Sequence, residues 1–594
     1  MNINHNAVNL KPRVFPKPEA PAKGNGYIIM PPQDNLFKSG VGAPNLDTFG
    51  VVAKEELSIL GGYLAELTDE QVKDLEKKGF SIFKDEVHQY LPNNAPTDLN
   101  AVALSAFTEA TSKKAGKTEG EETGETAPAA EEPAPPAKDP YQGHTNFVPR
   151  QELQAPRFNS PIEQSARGKG VTIAVLDSGV APHPDFGDRL LGQIDFINGR
   201  SLPYDDNGHG THVAGCAAGD GSIDARYAGA ASQANILSMK VLSGSGSGAT
   251  SGIVKAIQTA VQMKEDLNIR VINMSLGGPA SKNGEKDPIN MAIKAAKEAG
   301  ITVVVAAGNE GPEPKTVGSP GNSLNAITVG ALDDKNTPDR SDDIPASFSS
   351  RGPTPDGDIK PDVMAPGVSI MAPLSMQSET YESAESAAAV HRVIQALDLM
   401  PFAVLQQQPN ELFAAAGIGP ATAEKIKLKE EVSDVIFTRL LEATSRTPLE
   451  EHGAYVGLPG TSMATPIVAG VAAAMIGANP ALTPDHVQKI LMDTAEKLPD
   501  GRLGPNTQGA GAINAKNAIL AALQTEVEAP AAPSQEELLA AALKELGLSA
   551  EDVPVIGEEP KEVNEPPSEE PAPEAPKSEE PAKPKKRKKS KGVA

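Results

Sequence analysis

Only one cysteine, Cys216, occurs among the 594 residues of the chain. A single thiol excludes an intramolecular disulfide framework and any cysteine-based zinc cluster. Positive charge is also in short supply, with 54 Lys and Arg against 78 Asp and Glu, a formal net charge of −24. That balance excludes a generally basic, nucleic-acid-binding body. Met1 to Lys17 contain no apolar h-region, so no signal peptide is expected. The expectation is a cytoplasmic protein, with unconventional export left open. No stretch reaches the ~18 consecutive apolar residues of a membrane span, so no membrane partner is expected.

What is present falls into blocks of different composition. Residues 1–23 are read as a disordered N-terminus and 24–92 as a first compact unit. In that unit, Gly26 to Met30, Gly62 to Leu67 and Phe80 to Phe83 read as strands. Thr68-Asp69-Glu70-Gln71 opens a helix as a Thr-x-x-Gln capping box does, with Val72 and Leu75 sharing a face. This is a small α+β module. Residues 93–145 include a run of Glu, Pro, Ala, Gly and Thr that cannot bury enough surface to offset its ordering entropy, and they read as a linker.

The block 146–524 alternates strand and helix. Val171 to Leu176, Ala234 to Val241, Ile269 to Met274, Ile301 to Ala306 and Ala326 to Val329 are near-continuous apolar runs. Such runs suit strands covered on both faces. Helical patterns at Thr250 to Glu265 and Asp287 to Glu298 fall between them. The predicted class is α/β, a doubly wound, mainly parallel sheet with helices on both faces. A polar helical insert at 375–452 interrupts the pattern, and a Pro/Glu-rich tail at 525–594 closes the chain. The tail contains a helical island, Gln535 to Leu548, and ends in a basic cluster, Lys583 to Lys591.

Four short stretches carry chemistry. Gly460-Thr461-Ser462-Met463-Ala464-Thr465-Pro466 is a glycine turn running into a small-residue apolar helix. A serine in that first turn keeps a backbone N–H free to hold an oxyanion, although an N-capping Ser or Thr is the better reading of an isolated GTS. Asp177 ends the first central strand, where α/β proteins place ligands, and an Asx turn is the plainer alternative. His209-Gly210-Thr211-His212 reads as a crowded helix start rather than a metal site, since no HExxH pattern or third ligand accompanies the two histidines. His212 is the histidine expected to take a serine proton while a buried aspartate holds its other nitrogen. Ala306-Ala307-Gly308-Asn309 ends another strand, and the Asn309 amide suits an oxyanion donor.

Together, in the order Asp, His, Asn, Ser, these blocks resemble the subtilisin-like serine peptidases, or subtilases. The resemblance runs over 150–520 apart from the insert and is strongest to the leaderless, AprX-like branch. Asn268 to Gly277, Asp333 to Asp343, Ala346 to Pro353 and Lys360 to Gly367 carry that part of it. It implies Ser462 as nucleophile, His212 as general base, Asp177 as its orienting partner, and Asn309 with the Ser462 N–H as oxyanion hole. It implies that Ser275-Leu276-Gly277 and Gly246-Ser247-Gly248 clamp an extended peptide as an added strand. Ala306, Gly308 and Gly318 would line the pocket before the scissile bond, with Gly318 leaving room for a large apolar or aromatic side chain.

The same resemblance makes 24–92 a ferredoxin-like inhibitory propeptide acting in cis, with maturation between about Tyr90 and Tyr141. Protein or peptide substrates follow from it, with no required cofactor; calcium is left open, because the Asp220 to Arg226 loop departs from the best-known calcium loop. Cys216, four residues after His212, is either a small core residue or a thiol whose modification perturbs that histidine. Gly417 to Ile426 resembles a helix-hairpin-helix turn, which binds nucleic-acid backbone through glycine amides, but short glycine turns are common and the favoured reading is an αα-hairpin turn in a packing or regulatory insert. The rival function is accordingly a nucleic-acid-associated binding protein on a protease scaffold.

Overall fold

The computed structural model describes residues 26–32, 46–91, 100, 102–108, 166–280, 282–335, 340–444 and 454–527. Residues 1–23, the Glu/Pro/Ala-rich linker, nearly all of the tail with its helical island and basic cluster, and most of the expected maturation region lie outside them.

The N-terminal module has four antiparallel strands, β1 (Tyr27–Met30), β2 (Ala53–Leu57), β3 (Gly62–Ala65) and β4 (Ser81–Lys84), in the order β2-β3-β1-β4. Helix α1 (Asp69–Lys77) starts at the expected capping box, with Thr68 Oγ1 accepting from Gln71 N–H and the Gln71 side chain from Thr68 N–H. Strand β2 escaped the sequence reading because Ala-Lys-Glu-Glu-Leu is mostly polar. A fifth strand, β5 (Val87–Gln89), leaves this sheet and pairs antiparallel with a strand of the central block.

The central sheet explains the apolar runs. Its strands are β6 (Thr172–Asp177), β7 (Leu190–Asp195), β8 (Asn235–Lys240), β10 (Ile269–Met274), β11 (Thr302–Ala306), β12 (Ile327–Asp333), β13 (Ile344–Pro345) and β14 (Val363–Pro366). They run β13-β12-β11-β10-β6-β8-β7, with β14 also on β12, and every pairing but β12 with β13 is parallel. Strand β9 (Ser247–Ala249) lies outside it and takes β5. Successive side chains point to opposite faces. Ile173 and Val175 enter one core with helices α2 (His209–Ala218) and, late in the chain, Thr461–Ala478. Ala174 and Leu176 enter the other, with α3 (Thr250–Gln262) and α4 (Pro288–Glu298). Ile28, Met30, Leu57 and Leu64 of the module join this second core, so its sheet packs on the α3–α4 side.

The insert is the loop of a two-stranded hairpin, β15 (Ile370–Pro373) with β16 (Tyr455–Leu458). It contains α5 (Glu379–Asp398), α6 (Asn410–Ala414), α7 (Pro420–Ile426) and α8 (Glu430–Thr444), with their own apolar core. After β16 comes α9 (Thr461–Ala478). Among the described residues, α9 alone is long and apolar enough to cross a membrane, yet 89% of it is buried here as the central helix of the fold.

Candidate active site

Strand β6 delivers Asp177 to its C-terminal end, fully buried. Its Oδ1 accepts from Ser178 N–H at 2.7 Å and lies 2.8 Å from Nδ1 of His209, the first residue of α2. A carboxylate only accepts, so Nδ1 carries the proton and Nε2 is the basic nitrogen. The helix can begin against the strand because Gly210 is a glycine: a Cβ there would stand 2.1 Å from the Gly179 carbonyl oxygen. Gly208, with φ 99°, makes the turn without a side-chain cap, and Asp205 does the capping from outside. Its Oδ1 accepts from Gly208 N–H at 2.8 Å, and its Oδ2 accepts from Thr211 N–H and Oγ1 at 2.8 and 2.7 Å. Burial pulls the His209 imidazole down, but the Asp177 charge and hydrogen bond and the Asp205 charge outweigh it and hold the pKa above 6.5.

The expected partner of Asp177 was His212, and the structure corrects this. His212 is fully buried one turn deeper. Its Nε2 donates to the Ile370 and Val456 carbonyls at 2.9 and 3.0 Å, and its Nδ1 faces Cys216 Sγ at 3.5 Å. Burial above all pushes its pKa down to about 3, so the ring is neutral. The physical reason is axial rise. Three residues carry a side chain ~4.5 Å along the helix, away from the strand end where Asp177 sits. His212 therefore clamps β15 to β16, the two strands from which the insert springs, and touches no reacting group.

Helix α9 places Ser462 in its first turn, where the backbone N–H has no intrahelical acceptor. Pro466, four residues on, lacks the N–H that would bond the Ser462 carbonyl. That carbonyl accepts instead from Ser275 Oγ at 2.8 Å, and Ser462 Oγ donates to the Ser275 carbonyl at 3.2 Å. Ser275 follows β10, whose register with β6 (Asn273 opposite Val175) brings it level with Asp177 on the neighbouring strand. Adjacent strands lie ~4.8 Å apart. Asn309, at the end of β11 on the other side of β10, is fixed by the nucleophile turn. Its Oδ1 accepts from Thr461 N–H and Oγ1 at 2.9 and 3.0 Å, and Thr461 Oγ1 accepts from Gly308 N–H at 3.3 Å. Asn309 itself is solvent-exposed, so the amide is oriented by its oxygen and presents Nδ2 for another acceptor.

Of the two expected substrate edges, Gly246-Ser247-Gly248 is occupied by the N-terminal module. Val87, His88 and Gln89 pair with Ala249, Gly248 and Ser247, and Tyr90 N–H donates to the Gly246 carbonyl at 3.0 Å. Tyr90 is buried in the same apolar cluster as Leu276. Burial raises its phenol, and the Tyr90 ring lies beside Gly278. Just upstream, Asp85 accepts from Ser251 N–H and Oγ at 2.9 and 2.7 Å, capping α3, whose own N-cap Ala249 has no capping side chain. Gly318 has a reason to be glycine besides pocket size: a Cβ would meet the Gly278 carbonyl oxygen at 2.4 Å, where Gly278 and Ser319 form a β-bridge. Ala306 is buried at the end of β11, and a Cβ on Gly308 would meet the Glu310 carboxylate and Ser350 Oγ.

Among the described residues, no group of three or more His, Cys, Asp or Glu is arranged to hold a metal ion. In the Asp220 to Arg226 loop, Asp220 accepts from Ser222 N–H and Asp224 from Arg226. Cys216 is fully buried, and burial raises its thiol. The sequence reading missed His209, Thr461 and Asp205. For His209 the signal was the glycine on either side, which marks a close approach.

Residues 168–511 match the Subtilase family. Serine protease AprX of Bacillus subtilis (strain 168) is 40% identical over 362 residues, covering 60% of this chain and 67% of that protein. Subtilisin E of the same organism is 40% identical over 228 residues, so the chain spans 52% of its length. Of solved structures, Sphericase aligns over 58% of this chain and 91% of its own, at 27% identity and a TM-score of 0.40. The chain belongs to the subtilase family and is a subtilisin-like serine peptidase.

Proposed function

We propose that the chain is an endopeptidase working through Asp177, His209 and Ser462, produced as a latent precursor inhibited by its own N-terminal module. Ser462 Oγ attacks the peptide carbonyl as its proton passes to His209 Nε2. Asp177 stabilises the resulting imidazolium through Nδ1. Asn309 Nδ2 and the Ser462 N–H receive the oxyanion. His209 then protonates the leaving amine, and the acyl-enzyme that remains is hydrolysed by water under the same base. The observation that carries the reading is the 2.8 Å contact between Asp177 and His209, level across the sheet with the Ser275 that holds Ser462. Ser462 Oγ rests on the Ser275 carbonyl and is freed when a substrate N–H takes that acceptor; hydrogen bonds of this kind are often slack before substrate binds.

Latency is supported by β5 on β9, with Tyr90 N–H on the Gly246 carbonyl and its ring beside Gly278, and by Asp85 on α3. Gly318 favours large apolar or aromatic residues before the scissile bond, and strict cleavage after small residues would contradict that preference. A fluorophosphonate probe tests the whole. It should label Ser462 in self-processed protein and not in Ser462→Ala or His209→Ala. A folded, self-processed wild-type chain that stays unlabelled refutes the reading.

A further inference from the structure

The insert has a ligand, and it is the chain itself. Residues 102–108 are helical, and Ala103 and Ala106, three apart on one face, are 0% and 2% exposed inside the insert's core with Phe413, Ile418 and Ile436. Lys425 Nζ stands 5.0 Å over the Phe107 ring. Asn100 seats the segment on the turn between α6 and α7. Its Nδ2 donates to the Gly417 carbonyl at 3.1 Å, and its Oδ1 accepts from Gly419 N–H at 2.7 Å and Thr422 Oγ1 at 3.2 Å. The glycine amide that a helix-hairpin-helix turn offers to a phosphate oxygen is here bonded to a side-chain amide of this protein.

We propose that the insert is a docking site for Asn100 and residues 102–108 and serves as a second anchor for the inhibitory N-terminal region, an inference that rests on the latent-precursor reading above. The first anchor ends at Leu91 in the cleft, and the second begins at Asn100. Nine residue steps reach at most ~30 Å. A short connection between two sites gives each an effective concentration in the ~mM range for the other. The region thus leaves the cleft slowly, because releasing one anchor lets the other recapture it. The insert, rooted on β15 and β16 beside His212, controls latency by holding this segment.

The test uses the full chain carrying Ala103→Asp and Ala106→Asp, which put carboxylates into the insert's apolar core. The lag before peptidase activity appears should shorten about tenfold, with kcat/KM of the fully processed enzyme unchanged. Asn100→Ala, a milder change, should shorten it less. In the Ser462→Ala background, which cannot process itself, the Asp variant has a vacated insert. A fluorescent peptide of residues 98–110 should bind it with a Kd of roughly micromolar order, and an Asn100→Ala peptide about tenfold more weakly. Failure of the peptide to bind overturns the proposal, as does an unchanged lag in a folded Asp variant. An unchanged lag with newly gained DNA binding would assign the turn to nucleic acid instead. A wild-type chain without any lag refutes latency, and peptide binding then decides the docking by itself.

Discussion

The two histidines of α2 should fail in opposite ways when replaced. His212→Ala removes the donor shared by the buried Ile370 and Val456 carbonyls at 2.9 and 3.0 Å. Each carbonyl left unsatisfied costs about 1–3 kcal/mol, so together with the cavity the loss is roughly 3–5 kcal/mol. That is a drop of ~5–10 °C in Tm for a domain of this size. Catalysis at low temperature should fall by less than about tenfold, since the ring touches no reacting group. His209→Ala should do the reverse. Its ring keeps 13% exposure and contributes its hydrogen bond mainly to Asp177, so Tm should move by only ~1–2 °C. Without the base, kcat should fall about 10⁶-fold, a magnitude known from subtilisin itself rather than worked from this geometry. Melting is best followed in the Ser462→Ala background, where autolysis cannot distort the transition. Turnover is measured on a chromogenic peptide after a second protease has removed the N-terminal module. A stable, inactive His212→Ala beside an active His209→Ala would refute the assignment.

Three further outcomes follow from the same geometry. Because His209 is held above 6.5 by Asp177 and Asp205 against the pull of burial, and must be neutral to act, the acidic limb of kcat/KM should lie above pH 6.5. Asp177→Asn should move that limb to lower pH and lower kcat by about 10⁴. For stability the sign is opposite to the catalytic one, since a raised histidine contributes fully below pH 6.5 and loses its contribution as pH rises through the folded value. Asn309→Ala should lower kcat by ~10²–10³ with little change in KM, again the size known from subtilisin, and near-normal kcat would remove Asn309 from the oxyanion site. Cys216 should resist mercurials in the folded protein, because its thiol is fully buried and raised. Rapid inhibition of wild type but not of Cys216→Ala would show access that the fold does not provide.

Much of the molecule was legible residue by residue. Runs such as Val171 to Leu176 predict strands buried on both faces, and the structure places alternate members of that run in two separate cores. The Thr68–Gln71 box predicts α1, and the glycine turn before Ser462 predicts a helix start. These are local rules: a period of two, a cap, a missing acceptor. They found Asp177, Asn309 and Ser462, each marked by a glycine at a strand end or helix entry.

Choosing between His209 and His212 was beyond local rules. Both lie near the start of one helix, and they are separated only by how far along its axis each sits from the end of β6, a distance set when the helix docks. The partner of the Gly417–Gly419 turn was equally hidden. Its occupant, Asn100, lies more than 300 residues away in sequence. Sequence by itself determined the chemistry and the sheet that carries it, because both are written in short-range patterns of polarity and backbone freedom. Only the tertiary structure decided which histidine meets the aspartate and what the insert holds, because those are contacts between elements that no local pattern brings together.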